Sequence, residues 1–411
     1  MIKKSGSRPK TIRNNNLRLI LDLYGKNDSL SVSDISRMVN LSRTTVSKIN
    51  EKLLGSSLVT PCGKGGSTDE GGKKPELYCL NRNFGYFVCF HILDEFINIK
   101  YFDLTLSMVE KKKIPTEVNE TVEKIIDIIG SEIKQYMEKA VSSGMPPLLG
   151  ITAAIHGIVD SEKGICYTAP HFPSWGSNRN IRKMIREKIS LDIPVHVESW
   201  IRFKAYSAKE NRDSESFKNY VLLDAGRHGI VSGVVVNGAL LSGSHYFSGE
   251  IGHTIVSATD TRECYCGGRG CLETFIDCRS LLKKAISLRE KYPSSLIFDN
   301  KEKPDIFDIF NASNSKDALA CILMEEIAGW FAIGVSNIYL MFDPEIVYFE
   351  GDYARAGDFF EKKLMEKINR VSLNRLDKDF RIVFNEPGHN ATATGAAALA
   401  RDFYLANNIE V

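Results

Sequence analysis

Apolar residues recur at helical spacing through the amino-terminal stretch: Leu17, Leu19, Ile20, Leu23 and Tyr24, then Ile35, Met38 and Val39, then Val46, Ile49, Leu53 and Leu54. The pattern predicts three helices. The first spans about residues 14–25, the second is capped by Ser33 and runs to Asn40, and the third is capped by Ser42 and runs from Arg43 to about Leu54. Along its first turns the third helix leaves Arg43, Thr44, Thr45, Ser47 and Lys48 outward. In a helix-turn-helix those early residues of the second helix reach base edges in the major groove, and their side chains suit both phosphates and bases. Two short strands follow, Leu58-Val59-Thr60-Pro61 and Leu77-Tyr78-Cys79-Leu80, around a glycine-rich polar turn bearing Lys64, Lys73 and Lys74. Together they predict a winged helix-turn-helix over residues 1–81, with operator DNA as its partner.

Beyond residue 85 the texture changes to strands alternating with helices. Residues 86–92 and 96–102 read as adjacent strands, 122–142 as an amphipathic helix and 149–154 as another strand, with a second such unit starting near Tyr220. This alternation defines an α/β architecture. The most apolar run, residues 327–342, falls short of the ~20 residues that span a bilayer. It also holds Ser336 and Asn337, so it reads as a buried core helix and no membrane insertion is expected.

At 411 residues the chain suits two to four domains of about 100 to 200 residues each. Its net charge of +2 hides an asymmetry: residues 1–80 hold 14 Lys and Arg against 7 Asp and Glu, so the remainder is acidic. A basic head on an acidic body is the distribution of a nucleic-acid reader joined to a sensing domain. The start is basic, but no apolar stretch follows, so no secretory signal is expected. Nine cysteines, an odd number, predict reduced thiols in a cytoplasm rather than a disulfide framework.

Three of those cysteines crowd into Cys264-Tyr-Cys266-Gly-Gly-Arg-Gly-Cys271, with His253 eleven residues upstream of the first. Three thiolates and one imidazole are the ligand set of a closed tetrahedral zinc site, which braces structure because no position is left for water or substrate. The bland alternative is a chance crowding of reduced thiols.

These residues, as Glu250-x-Gly252-His253 and Cys-x-Cys-Gly-x-x-Gly-Cys-Leu-Glu273, resemble the signature of the ROK family of sugar-responsive repressors and sugar kinases. Gly71-Gly72-Lys73-Lys74-Pro75 resembles the wing junction of the repressor branch, and Asp343-Pro344-Glu345-Ile346-Val347 and Gly395-Ala396-Ala397 resemble two late motifs. The resemblance implies a two-lobed actin-like ATPase core behind the winged head. Its first lobe would span residues 82–212 with a returning C-terminal helix 390–411, and its second residues 213–389 with the structural zinc. It also implies a carbohydrate or sugar-phosphate effector contacted by Glu250, His253 and Glu273, with Gly157 and Ser199 also at the sugar, and a homodimer or tetramer. Glu250 and Glu273 would otherwise only orient groups around the metal.

Kinases of the family carry Asp-x-Gly-Gly-Thr after the opening strand, a glycine-rich second phosphate turn, and a carboxylate base in Glu-Asn-Asp-Ala-Asn. The corresponding stretches here are His91-Ile92-Leu93-Asp94-Glu95-Phe96, which has no glycine, Gly226-Arg227-His228-Gly229-Ile230-Val231-Ser232-Gly233, degraded rather than absent, and Val197-Glu198-Ser199-Trp200-Ile201-Arg202. Trp200 stands where the aspartate would take the proton from the sugar hydroxyl, so no catalytic residue and no kinase activity are expected. Its indole would either stack on a sugar or fill the pocket as core. His156 stands where relatives carry proline. The other histidines, His91, His171, His196, His228, His245 and His389, show no metal spacing and read as solvated or packed. The alternative reading is a regulator that has lost sugar binding and answers to a protein partner.

Overall fold

A computed structural model describes residues 9–66, 74–208, 217–227, 229–260, 262–299, 303–371, 381–385 and 390–408. Helix α1 (Pro9–Lys26) buries Leu17, Ile20, Leu21 and Tyr24, the i, i+3, i+4, i+7 set of one face. Leu19, expected inside, is exposed. Helix α2 (Val32–Val39) starts earlier than expected because Ser31, not Ser33, caps it. The Ser31 hydroxyl accepts from the Asp34 N–H at 3.2 Å while the Asp34 carboxylate accepts from the Ser31 N–H at 3.1 Å. So short a helix buries only Ile35 fully, and Met38, expected on the buried face, is exposed. Helix α3 (Arg43–Gly55) is capped by Ser42 and buries Val46, Ile49, Asn50 and Leu53. The Tyr24 hydroxyl donates to Asn50 at 2.6 Å, tying α1 to α3. Strands β1 (Val59–Lys64) and β2 (Glu76–Leu80) pair antiparallel with a bulge at Pro61/Gly63 and form the wing.

The first α/β sheet joins β3 (Tyr86–Ile92), β4 (Phe96–Phe102), β5 (Met108–Pro115), β6 (Leu148–Ile155) and β10 (Val195–Ser199) in the order β5-β4-β3-β6-β10. The strands β7 (Ile158–Asp160), β8 (Ile165–Thr168) and β9 (Arg179–Asn180) make a small second sheet. Helices α4 (Val122–Ser143), α5 (Ile181–Ile189) and α6 (Trp200–Ala208) complete this part. Every residue of β6 is buried, as expected of a central strand covered on both faces.

The second sheet takes β11 (Tyr220–Gly226), β12 (Gly229–Val236), β13 (Ala239–Leu240), β14 (Ile346–Glu350) and β15 (Arg381–Phe384) in the order β13-β12-β11-β14-β15. Strand senses match the first sheet: three antiparallel strands in succession, then two parallel to the first of them. The core is therefore a duplicated unit, which no sequence repeat announces. Helices α7 (Leu272–Ile276), α8 (Cys278–Ser287), α9 (Ile306–Asn314), α10 (Ala318–Phe342) and α11 (Asp358–Val371) belong to this second unit. The long apolar α10 buries Leu323, Ile327, Phe331, Val335 and Ile338 in its core.

Packing divides the chain into Met1–Arg212 with Thr392–Val411, and Asp213–Ala391. Across residue 81, where the sequence suggests a boundary, packing is continuous. Leu17, Ile20 and Tyr24 of the winged head share one apolar cluster with Phe87, Cys89 and Phe102 of the first sheet and with Ala393, Ala396 and Ala400 of the final helix α12 (Ala391–Asn408). Gly395 lets α12 approach α6 closely, since a Cβ there would lie 1.7 Å from the Phe203 carbonyl oxygen. The Tyr206 hydroxyl donates to Asp402 at 2.6 Å across the same contact.

Candidate functional site

Among the five expected contacts on α3, Arg43, Thr44 and Lys48 are exposed, while Thr45 and Ser47 are half-buried. The Thr45 hydroxyl lies 2.8 Å from that of Ser42 and belongs to the cap. On the wing, Lys64 and Lys74 are exposed, and the Pro75 carbonyl accepts from the Gly65 N–H at 2.8 Å. Lys73 lies outside the described residues, as do His228 and His389.

In the second unit His253, Cys264, Cys266 and Cys271 bring their ligand atoms within 4.8 Å of one another. His253 Nδ1 is 3.5 Å from Cys264 Sγ, and the sulfurs of Cys266 and Cys271 are 3.7 Å apart. Tetrahedral ligands at Zn–S of about 2.3 Å and Zn–N of about 2.0–2.1 Å stand roughly 3.8 and 3.5 Å apart, so the donor set fits zinc. Burial pushes the Cys264 thiol up to about 12, so a cation is needed to hold it as thiolate. The glycines shape the knuckle: Gly267 and Gly270 have φ of 84° and 69°, and a Cβ on Gly270 would meet the Ser257 carbonyl oxygen at 1.9 Å.

The three expected sugar contacts of this unit surround the same loop. Gly249 and Gly252 press it onto β12, where a Cβ would lie 1.9 Å from the Ser232 oxygen and 2.5 Å from the Ile230 oxygen respectively. Glu273 is buried, and Glu250 is half-buried at the start of the short 3-10 turn Ile251–His253. Burial, with Asp277 and Glu250 nearby, pushes the Glu273 carboxyl up to about 7, and its Oε2 has no hydrogen-bond partner. That orphaned oxygen suits a ligand hydroxyl. The His253 nitrogen that faces away from the thiols, Nε2, is not open: it lies 3.1 Å from the Tyr265 hydroxyl. The sequence reading overlooked Tyr265, although its place between two cysteines of the candidate metal cluster puts it beside that cluster by connectivity alone.

In the first unit, three positions read separately in the sequence come together. Trp200 opens α6 directly after β10, and its indole stacks on the His156 ring at 4.6 Å and 11°. His156 Nε2 is 3.1 Å from His91 Nε2, with ring centroids 5.3 Å apart and planes 6° apart. The nitrogens are closer than the centroids by about two ring radii, so the imidazoles meet edge to edge in one plane. Burial, then the charges of Lys100 and Lys204, pull the His91 imidazole down to about 3, so it stays neutral. His171 packs edge-on against His156 and lies 3.1 Å from Asp94. The sequence assigned these histidines no joint role; the imidazole network belongs to the tertiary structure. Gly157 is held against β8, where a Cβ would lie 2.2 Å from the Thr168 oxygen. Ser199 is buried, and its N–H donates to Glu198 Oε1 at 2.6 Å. Glu198 also pairs with Arg202 at 2.6 Å, so it is no free base.

The stretch that corresponds to the kinases' second phosphate turn is a tight β11/β12 hairpin. Asp352 accepts from the Arg227 N–H at 2.9 Å and pairs with its guanidinium at 3.2 Å, so a carboxylate sits against the turn that a phosphate would need.

A duplicated α/β core fused to a winged head, with a Cys/His cluster that could hold a metal, has the architecture of a sugar-responsive transcriptional regulator. The ROK family model matches residues 94–403, and the chain belongs to the ROK family. The chain is 26% identical over 389 residues to the xylose repressor of Caldicellulosiruptor bescii, covering 93% of this chain and 94% of that one. A crystal structure of a ROK family transcriptional regulator, homolog of the E. coli MLC protein, matches with a TM-score of 0.78 and 22% identity over 96% of this chain and 97% of the other. A ROK glucokinase from Streptomyces griseus in complex with glucose and AMPPNP matches 77% of this chain and 99% of its own, with a TM-score of 0.61 and 21% identity.

Proposed function

We propose that this protein is a sugar-responsive DNA-binding transcriptional repressor of carbohydrate-utilisation genes, cytoplasmic, dimeric or tetrameric, and without kinase activity. The observation that carries the reading is that one compact unit holds both the winged reader and the lobe in which Trp200 replaces the base. The relatives named as repressors support it. Arg43, Thr44, Thr45, Ser47 and Lys48 enter the major groove, and Lys64, Lys73 and Lys74 track phosphate. His253, Cys264, Cys266 and Cys271 hold a structural zinc, which fixes the loop carrying Glu250, His253 and Glu273. The effector is a carbohydrate or sugar phosphate.

Band shifts on operator DNA test the reading. Lys48→Ala is expected to reduce the salt slope of binding by about 1, and Arg43→Ala to cost about 1–3 kcal/mol with relaxed base preference. Affinity that ignores ionic strength would falsify DNA reading by this face. Zinc on Nδ1 leaves the His253 Nε2 protonated, so Tyr265 accepts its hydrogen bond as a stand-in for an effector hydroxyl. Tyr265→Phe should keep the metal and tighten effector binding about 2- to 10-fold, the worth of one hydrogen bond. Weaker binding in calorimetry would instead make Tyr265 an effector contact. A second reading, control by a protein partner, draws on the exposed Phe247, Ile255 and Tyr265 around the knuckle.

A further inference from the structure

Resting on the reading of the winged head as the DNA contact, we propose that Cys62 and Cys79 form a modification site in that head. They are a reversible dithiol that hydrogen peroxide closes to a disulfide, lowering operator affinity.

The two thiols lie on the paired strands of the wing. Cys79 on β2 stands opposite Thr60, and its Sγ lies 3.8 Å from the Thr60 hydroxyl. Cys62 is the extra residue of the β1 bulge, since Pro61 pairs with Tyr78 and Gly63 with Leu77. Its side chain is exposed, and its thiol donates a hydrogen bond to that of the half-buried Cys79, so both sulfurs share one face of the hairpin. A cavity of about 370 Å³, lined by Cys79 with Thr60, Tyr24 and Arg82, brings a small oxidant to the second sulfur. Among the described residues, the other cysteines outside the candidate metal cluster are placed differently. Cys89, Cys166 and Cys278 are buried, and Cys321 donates to the Ser313 carbonyl at 3.6 Å.

Burial and the bond to Cys79 push the Cys62 thiol up to about 11, so Cys62 keeps its proton and Cys79 attacks first. The Cys79 thiolate takes one peroxide oxygen as a sulfenic acid while the O–O bond breaks. The other oxygen leaves as hydroxide and becomes water with the proton that the thiol released. The Cys62 sulfur then attacks the Cys79 sulfur, the S–O bond breaks, and the hydroxide leaves with the Cys62 proton as a second water. Two thiols lose two electrons, and one peroxide gains them. Cys62 lies outside the strand register, whereas a disulfide holds its Cα atoms within about 4.4–6.8 Å. Closing the bond therefore draws the bulge toward β2 and turns the strand end that carries Lys64. Tyr24 extends the effect to the recognition helix. Burial, then Tyr78 and both thiols, push its phenol up, and its hydroxyl holds Asn50 of α3 at 2.6 Å.

Peptide mapping and band shifts on operator DNA test this, using full-length zinc-loaded protein before and after hydrogen peroxide. Mapping should show Cys62 joined to Cys79, and dithiothreitol should reverse the bond and its effect. Operator affinity should fall about 10-fold, with the salt slope reduced by about 1 for each wing lysine that leaves its phosphate. Cys62→Ser should bind operator like the reduced parent and ignore peroxide. Treated protein that lacks the Cys62–Cys79 bond, or that has it with unchanged affinity, overturns the proposal. So does a Cys62→Ser variant that loses affinity as the parent does, because the loss then belongs to another thiol. If the reduced parent binds no operator although the disulfide forms, the DNA reading falls and the proposal falls with it. Mapping and band shifts on the parent decide the matter even if the variant fails to fold.

Discussion

Cys264→Ser is expected to yield a protein that binds no zinc and no longer answers its effector, while its winged head still binds DNA. A structural zinc site contributes on the order of 10 kcal/mol to local order, comparable with the roughly 5–15 kcal/mol that holds a whole domain. Besides the metal, the loop is held by the isolated bridges Ile255–Cys271 and Glu263–Arg269 and by the ion pairs Arg262–Asp260 and Arg269–Glu263, all short-range and partly exposed. Between residues 254 and 271 it is glycine-rich, its turns use left-handed backbone at Gly267 and Gly270, and Tyr265 and Ile255 are exposed. The same loop carries His253 and leads into Glu273, so losing the metal displaces the orphaned Glu273 oxygen and the Nε2–Tyr265 pair together. The winged head lies in the other packing unit, in an apolar cluster to which the knuckle contributes no residue. Elemental analysis, band shifts and calorimetry on one preparation check all three expectations. An effector response of normal size in the metal-free variant would sink the coupling between knuckle and sugar.

Gly395→Val should act on the opposite unit and more broadly. Even the first added carbon would lie 1.7 Å from the Phe203 carbonyl oxygen and 2.9 Å from the Ser207 backbone nitrogen. Both atoms are α6 backbone, which cannot move aside as a side chain can, so α12 must lift away. The cost is about 3 kcal/mol or more, the upper end of overpacking. Because α12 supplies Ala393, Ala396, Ala397 and Ala400 to the cluster that also holds Leu17, Ile20 and Tyr24, the winged head loses part of its support. Thermal melting should show the loss, with operator affinity falling and zinc content unchanged. A variant that melts with the parent and binds DNA normally would show that α12 does not anchor the head.

Continuity between the head and the first sheet also bears on how an effector reaches DNA. A head joined by a flexible linker would average out any motion of the core. A head sharing an apolar cluster with β3, β4 and α12 moves with that unit, so in the proposed dimer or tetramer a rotation of the unit would change the spacing of paired recognition helices directly.

Much of the candidate site was legible because short-range rules dictate it. Ser42 before α3, the glycines between the cysteines and the alternating apolar strands each act over a few residues, so helix α3, the knuckle and strands β3 and β4 follow from local chemistry. The misreadings were local too. Ser31 outcompetes Ser33 as a cap because Asp34 completes the reciprocal pair, and Leu19 yields to Leu21 because the helical face is set by what packs against it.

The chain alone carries the expected reader, the Cys/His set that could hold a metal and the tryptophan at position 200. Those depend on residue type and on spacing within one element. Tertiary structure decided that His91, His156 and Trp200 meet, that Tyr265 claims the free nitrogen of His253, that Asp352 sits against the second phosphate turn, and that the winged head shares a core with α12. Apart from Tyr265, which neighbours its metal ligands in sequence, these contacts join segments from different strands or helices. No local preference brings such segments together; the burial of the sheet and helix faces between them does.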